Sequence, residues 1–162
     1  MNSIPQTAGV TSTLTPAKAI LYGTLASGVL DATDGVIFFF LTKHLNPIQV
    51  LQYIASGALG ASAYQGGLAT AGLGMLFHFV IAAAVAAVYV LASRKLLFLR
   101  QGWAASGLIY GATVYLFMNL IVLPRTAIGP SPIPAAALIN GLIGHALFVG
   151  LPIAFFARQV SK

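Results

Sequence analysis

Four stretches of this chain, each close to the ~20 apolar residues a helix needs to cross a bilayer, contain almost no charge. A water-soluble fold of this length needs one core and a charged surface, and about a quarter of its residues are ordinarily charged. Here 6% of the 162 residues are charged and 59% are hydrophobic. So few charges cannot cover a water-facing surface, whereas lipid requires none. The sequence predicts an all-α integral membrane bundle of four transmembrane helices, with the bilayer itself as its main partner.

The expected spans cover residues 17–42, 66–92, 102–123 and 133–157, inside one transmembrane domain running over 16–162. Residues 1–15 are rich in Ser, Thr and Gly without apolar periodicity, and read as a disordered cytoplasmic tail. Pro16 suits the first turn of a helix. The segment that follows contains Asp31 and Asp34 and is too long and too acidic for a signal peptide. Between the first two spans, Asn46-Pro47 is a helix start signal. Gln49 and Gln52 are interleaved with apolar residues after it, which predicts a short interfacial or re-entrant helix. The prolines at 124, 130, 132 and 134 exclude a continuous helix through the third connection.

Charge gives direction. Four crossings put Lys18, Arg94, Lys95, Arg100, Arg158 and Lys162 on one side and Lys43 and Arg125 on the other. The positive-inside rule then predicts that both termini are cytoplasmic. The net charge of +6 is thereby accounted for by loop ends, with no nucleic-acid partner required. The absence of cysteine excludes disulfides, thiolate metal sites and thiol redox chemistry. No GxSxG elbow or phosphate-binding glycine loop occurs in a suitable setting, and no soluble-type enzyme is expected.

The informative residues are polar ones at membrane depth. At ~1.5 Å per residue, counted from the cytoplasmic helix ends, Asp31 lies about 20 Å in, His78 about 22 Å and His145 about 18 Å. Asp34, Asn119 and Asn140 lie about 25 Å in. These depths predict two polar layers, one of Asp31, His78 and His145 and the other of Asp34, Asn119 and Asn140. At ~100° per residue, Gly23, Ser27, Asp31 and Asp34 share a stripe of the first span, and Gly67, Ala71, Gly74 and His78 share one on the second. Ala137, Gly141 and His145 do so on the fourth, but Asn140 and His145 stand about 140° apart, which argues against one tidy cluster.

Hydrogen bonding between helices is the bland account of such residues. Ionisable groups are an expensive way to achieve it, since Asn or Ser would serve, and intramembrane carboxylates are candidates for function. A proton, ion or small-solute pathway through Asp31, Asp34, His78 and His145 is therefore the leading functional expectation. A haem held by two histidines, or a divalent metal on His78, His145 and Asp31, is an alternative that no HxxxH or ExxH spacing supports, and no cofactor is expected. A third reading is an accessory subunit, since the small-residue faces exceed what four helices need internally and imply a homo-oligomer or larger complex. Tyr53, Trp103, Tyr110 and Tyr115 read as interfacial anchors or filler, and Pro152 should bend the fourth span one turn beyond His145.

The second half of the chain holds Phe77-His78-Phe79-Val80-Ile81-Ala82, then Gly107-Leu108-Ile109-Tyr110-Gly111 leading to Leu123-Pro124, and then Gly144-His145-Ala146-Leu147-Phe148. In this order the features resemble the YagU-like family of uncharacterised bacterial inner-membrane proteins. The resemblance covers the second half of the chain and implies an inner-membrane location and a pairing of His78 with His145, without naming a substrate. Asn119 stands where a member of that family has histidine, which weakens any metal site needing three imidazoles.

Overall fold

The computed structural model describes residues 14–160 and has four helices long and apolar enough to cross a membrane. Span one is Pro16–Lys43, span two Gly67–Lys95, span three Trp103–Arg125 and span four Ala135–Ala157, so no expected boundary moves by more than three residues. No strand occurs among the described residues; one isolated bridge joins Leu14 to Val160. The expected tail lies outside the described residues except at its end. There the Thr15 hydroxyl caps span one by accepting from the Lys18 amide, and the Leu14 amide donates to the Gln159 carbonyl at 2.8 Å. Helix capping and that backbone bond order two residues that composition alone left unstructured. The bond also sets the two ends of the described chain side by side.

The predicted connecting helix is Pro47–Leu59. It starts with a reciprocal capping box, the Gln49 amide donating to the Asn46 side chain at 3.0 Å and the Asn46 amide to the Gln49 side chain at 2.9 Å. The helix folds back over the first half of span two. A Cβ on Gly74 would strike the Leu51 carbonyl, and the Gln52 amide donates to the Gly67 carbonyl at 3.0 Å. The reversal between them is possible because Gly60 and Gly67 take φ of 62° and 56°, where a Cβ is strained. Further along, the Gly57 carbonyl accepts from the Ala127 amide, tying the helix to the loop between spans three and four. The small-residue stripe at Ala71 and Gly74 thus packs on this helix, at a close approach that resembles a span-to-span contact in its chemistry.

Span four is the most buried span and touches the other three. Its contact with span three is set by glycine: Gly107 faces Ala154 and the Gly150 carbonyl, and Gly111 faces the carbonyl of His145. Lipid tails provide no hydrophobic drive for helices to associate, so this backbone-to-backbone packing is what holds the pair. The apolar core gathers at the end that carries both termini: Ala19 from span one, Ala86, Tyr89 and Val90 from span two, and Val149, Ile153, Ala154 and Ala157 from span four.

Spans three and four each contain a π-helical segment, Met118–Val122 and His145–Gly150. Each ends directly before a Leu-Pro pair, Leu123-Pro124 and Leu151-Pro152. Proline has no N–H for the carbonyl four residues back, here Leu120 and Phe148. The wider winding places the irregularity before the ring, and in span four the helix resumes through Pro152 to Ala157.

Candidate functional site

Asp31 and Asp34 lie three residues apart on span one, on neighbouring positions of one helix face. Span four meets both. The His145 Nδ1 lies 3.4 Å from the Asp31 Oδ1, and the Asn140 amide donates to the Asp34 Oδ2 at 2.9 Å. Asn140 and His145 were expected to face different ways, and the reason they can both engage span one is Gly144, which lies between them around the helix. Gly144 leaves room for Asp34, whose Oδ2 would stand 2.6 Å from any Cβ there, and Gly141 lies under the ring of Tyr115. Two polar side chains therefore flank a shallow groove and take different carboxylates, one helical turn apart.

The contact between Asp31 and His145 is the least satisfied of these. Its distance is that of an ion pair, yet its geometry falls short of a hydrogen bond, and the His145 Nδ1 is buried with no other partner. The side chains remain 23% exposed for His145 and 20% for Asp31, so the pair is neither sealed in packing nor open. A carboxyl group and an imidazole at this distance are chemically able to exchange a proton.

His78 lies at the same depth but turns elsewhere. Its Nε2 is 2.8 Å from the Gly28 carbonyl of span one, so this nitrogen carries the proton and donates. The adjacent Phe79 ring covers Gly28, where no Cβ fits. Of the expected inner layer, Asp31 and His145 come together, while His78 clamps the backbone one turn below Asp31. Of the outer layer, Asp34 and Asn140 come together. The Asn119 side chain donates to the Tyr115 carbonyl of its own helix at 3.0 Å, within the π-helical stretch, which satisfies it locally and removes the need for a partner across the bundle.

Tyr115 is the residue that sequence reasoning undervalued. It is buried, its hydroxyl donates to the Ala137 carbonyl at 2.9 Å, and its ring stands edge-on to the His145 imidazole with centroids 5.1 Å apart. It fixes the start of span four and the tilt of the imidazole together. The signal was present: Tyr115 follows Gly107 and Gly111 at four-residue intervals, on the stripe that carries the tightest helix contact. Tyr53 and Tyr110 are half-buried, Tyr53 against Phe39 and Tyr110 with its hydroxyl on the Val85 carbonyl at 2.8 Å.

Among the described residues no three His, Cys, Asp or Glu side chains converge as metal ligands would. Use of His78 Nε2 as a ligand would require breaking its bond to Gly28. Comparison with family models, with curated proteins and with solved structures returns no match.

Proposed function

We propose that this membrane protein handles protons or cations within the bilayer, with Asp31 and His145 as the exchanging pair and Asp34 with Asn140 as the next station toward the connecting helix. One observation carries the reading: a carboxylate and an imidazole on different spans, 3.4 Å apart near the middle of span one, without a completed hydrogen bond. A helix-pairing role needs neither group to be ionisable, and partially engaged Asp and His side chains are the usual relay groups of pumps and transporters.

A structural reading has its own support. The Asn140 to Asp34 bond and the His78 to Gly28 bond are complete contacts of the sort that join membrane helices. The two readings divide on one experiment. Proteoliposomes holding a pH-sensitive dye are given an imposed potential, and internal pH is followed. Proton handling predicts a flux that Asp31→Asn abolishes and His145→Ala strongly reduces. Undiminished flux in Asp31→Asn, or no flux in the native chain, gives the site to helix pairing.

For orientation, we propose that the end bearing both termini faces the cytoplasm, on the strength of six basic residues against two. A bacterial inner membrane is the setting that fits both the resemblance of the second half and a proton-linked activity. Exposed apolar side chains such as Leu68, Ile109 and Leu41 are consistent with lipid contact or with further copies of the chain.

A further inference from the structure

The chain has two side-chain carboxylates, and both lie inside span one; its eight Lys and Arg residues have none at their own depth. Among the described residues the sole ion-pair contact is that of His145 with Asp31. Among the described residues the basic end of the bundle has no carboxylate to supply counter-charge. Most of its cations, Lys18, Arg94 and Lys95 among them, are exposed and solvated.

Arg158 differs. Its guanidinium lies 4.3 Å from the centroid of the Trp103 ring and 4.9 Å from that of Phe155. Stacking on an aromatic face fixes the guanidinium plane while leaving its N–H groups free around the edge. No hydrogen-bond or ion-pair partner within the protein occupies them among the described residues, and the side chain is exposed. Arg100 braces the cluster from beneath, its guanidinium donating to the carbonyls of Val160 and Arg158. Trp103 opens span three, the end of a span being where tryptophan is enriched at the headgroup level, and its ring packs edge-on to Phe155, which lies farther into span four than Arg158.

We propose that Arg158, held over Trp103 and Phe155, is a binding site for the headgroup phosphate of an anionic phospholipid. The held guanidinium edge matches two phosphate oxygens, Trp103 fits the glycerol level and Phe155 lies along the first acyl methylenes. Among the described residues no carboxylate competes for the guanidinium. The occupant is a membrane lipid rather than free phosphate because the aromatic half of the site faces hydrocarbon.

Trp103 is the sole tryptophan of the chain, so its fluorescence reports this site alone. The full chain is placed in phosphatidylcholine nanodiscs containing a small fraction of either phosphatidylglycerol or phosphatidylcholine with brominated acyl chains. Quenching of Trp103 is then compared between the two labels. The site predicts quenching by the anionic lipid equivalent to about five-fold local enrichment, the ratio expected for one basic group at a membrane surface. Arg158→Gln should bring the two labels to equality and Arg158→Lys should fall between, with helical circular dichroism unchanged in both. Arg94→Gln, which removes an equal charge from the same end, should leave the ratio intact. Equal quenching by both labels in the native chain would overturn the proposal. So would an equal loss in Arg94→Gln, which marks a diffuse field, or displacement of the anionic label by millimolar inorganic phosphate, which marks a soluble ligand.

Discussion

The two ends of this bundle are built from the same four helices by opposite means. At the end that carries the termini, Ala19, Ala86, Val90, Ile153, Ala154 and Ala157 are fully buried, and Tyr89 is locked by a 3.0 Å bond to the Leu99 carbonyl. From the middle of the spans toward the other end the helices meet through Asp31, Asp34, Asn140 and His145, all of them half-buried, on the side of the connecting helix that packs on the first half of span two. In lipid, apolar side chains contribute through close packing alone. Dense packing at one end fixes the spans, so that the other end can hold ionisable groups that pack poorly. The lesson is a division of labour along the bilayer normal, and each substitution below tests one side of it.

The largest effect is expected where the two regimes meet. Gly111 lies against the carbonyl of His145, the residue at which the core gives way to the polar pair. Any side chain there meets backbone that has no rotamer to yield. Gly111→Leu should destabilise the protein by about 3 kcal/mol or more, seen as a collapse of thermal unfolding temperature in detergent, and should lose any flux with it. A variant that unfolds normally would show that spans three and four are not held by their backbones.

Ile153→Ala tests the packed end alone. Ile153 is fully buried against Gly23 of span one, and its truncation should cost about 2 kcal/mol, the low side of the usual range because lipid replaces water as the reference. The division of labour predicts that flux through the folded protein is unchanged. Asn140→Ala reverses the pattern. It removes the 2.9 Å bond to Asp34 and should lower stability by only about 1 kcal/mol, while altering the rate or pH profile of flux in proteoliposomes. Equal functional losses in both variants would dissolve the contrast.

The residues show why the fold was legible and the site only in part. Span limits follow from a one-dimensional property, the length of apolar sequence, and Pro16, Asn46 and Pro47 mark helix starts by local chemistry, whereas the Thr15 cap is missed because Thr15 reads as part of the tail. Depth is also one-dimensional, and it brought Asp31 level with His145 and Asp34 level with Asn140. Facing is not. Around span four, Gly144 leaves room for Asp34 between Asn140 and His145, and no helical wheel of span four alone contains the helix that enters there. His78 and Asn119 had the right depth but found backbone carbonyls, of a neighbouring span and of their own helix respectively. A carbonyl is an acceptor at every position and leaves no trace in sequence.

Tyr110→Phe is the smallest and the cleanest test, because it deletes one hydroxyl and no shape. That hydroxyl donates to the Val85 carbonyl at 2.8 Å, and the ring lies 4.9 Å from Tyr89, centroid to centroid, within the packed end. An interhelical hydrogen bond in a membrane contributes about 0.6 kcal/mol, since the separated helices find other partners. Tyr110→Phe should therefore lower stability by about that much, read as a shift of a degree or two in thermal unfolding, and leave flux untouched. Its value is as the reference for Asn140→Ala: both remove one hydrogen bond between spans, one at each end. If they cost the same and neither changes flux, the polar half is glue like the packed half. A change in flux in Asn140→Ala alone would separate function from adhesion at equal energetic scale.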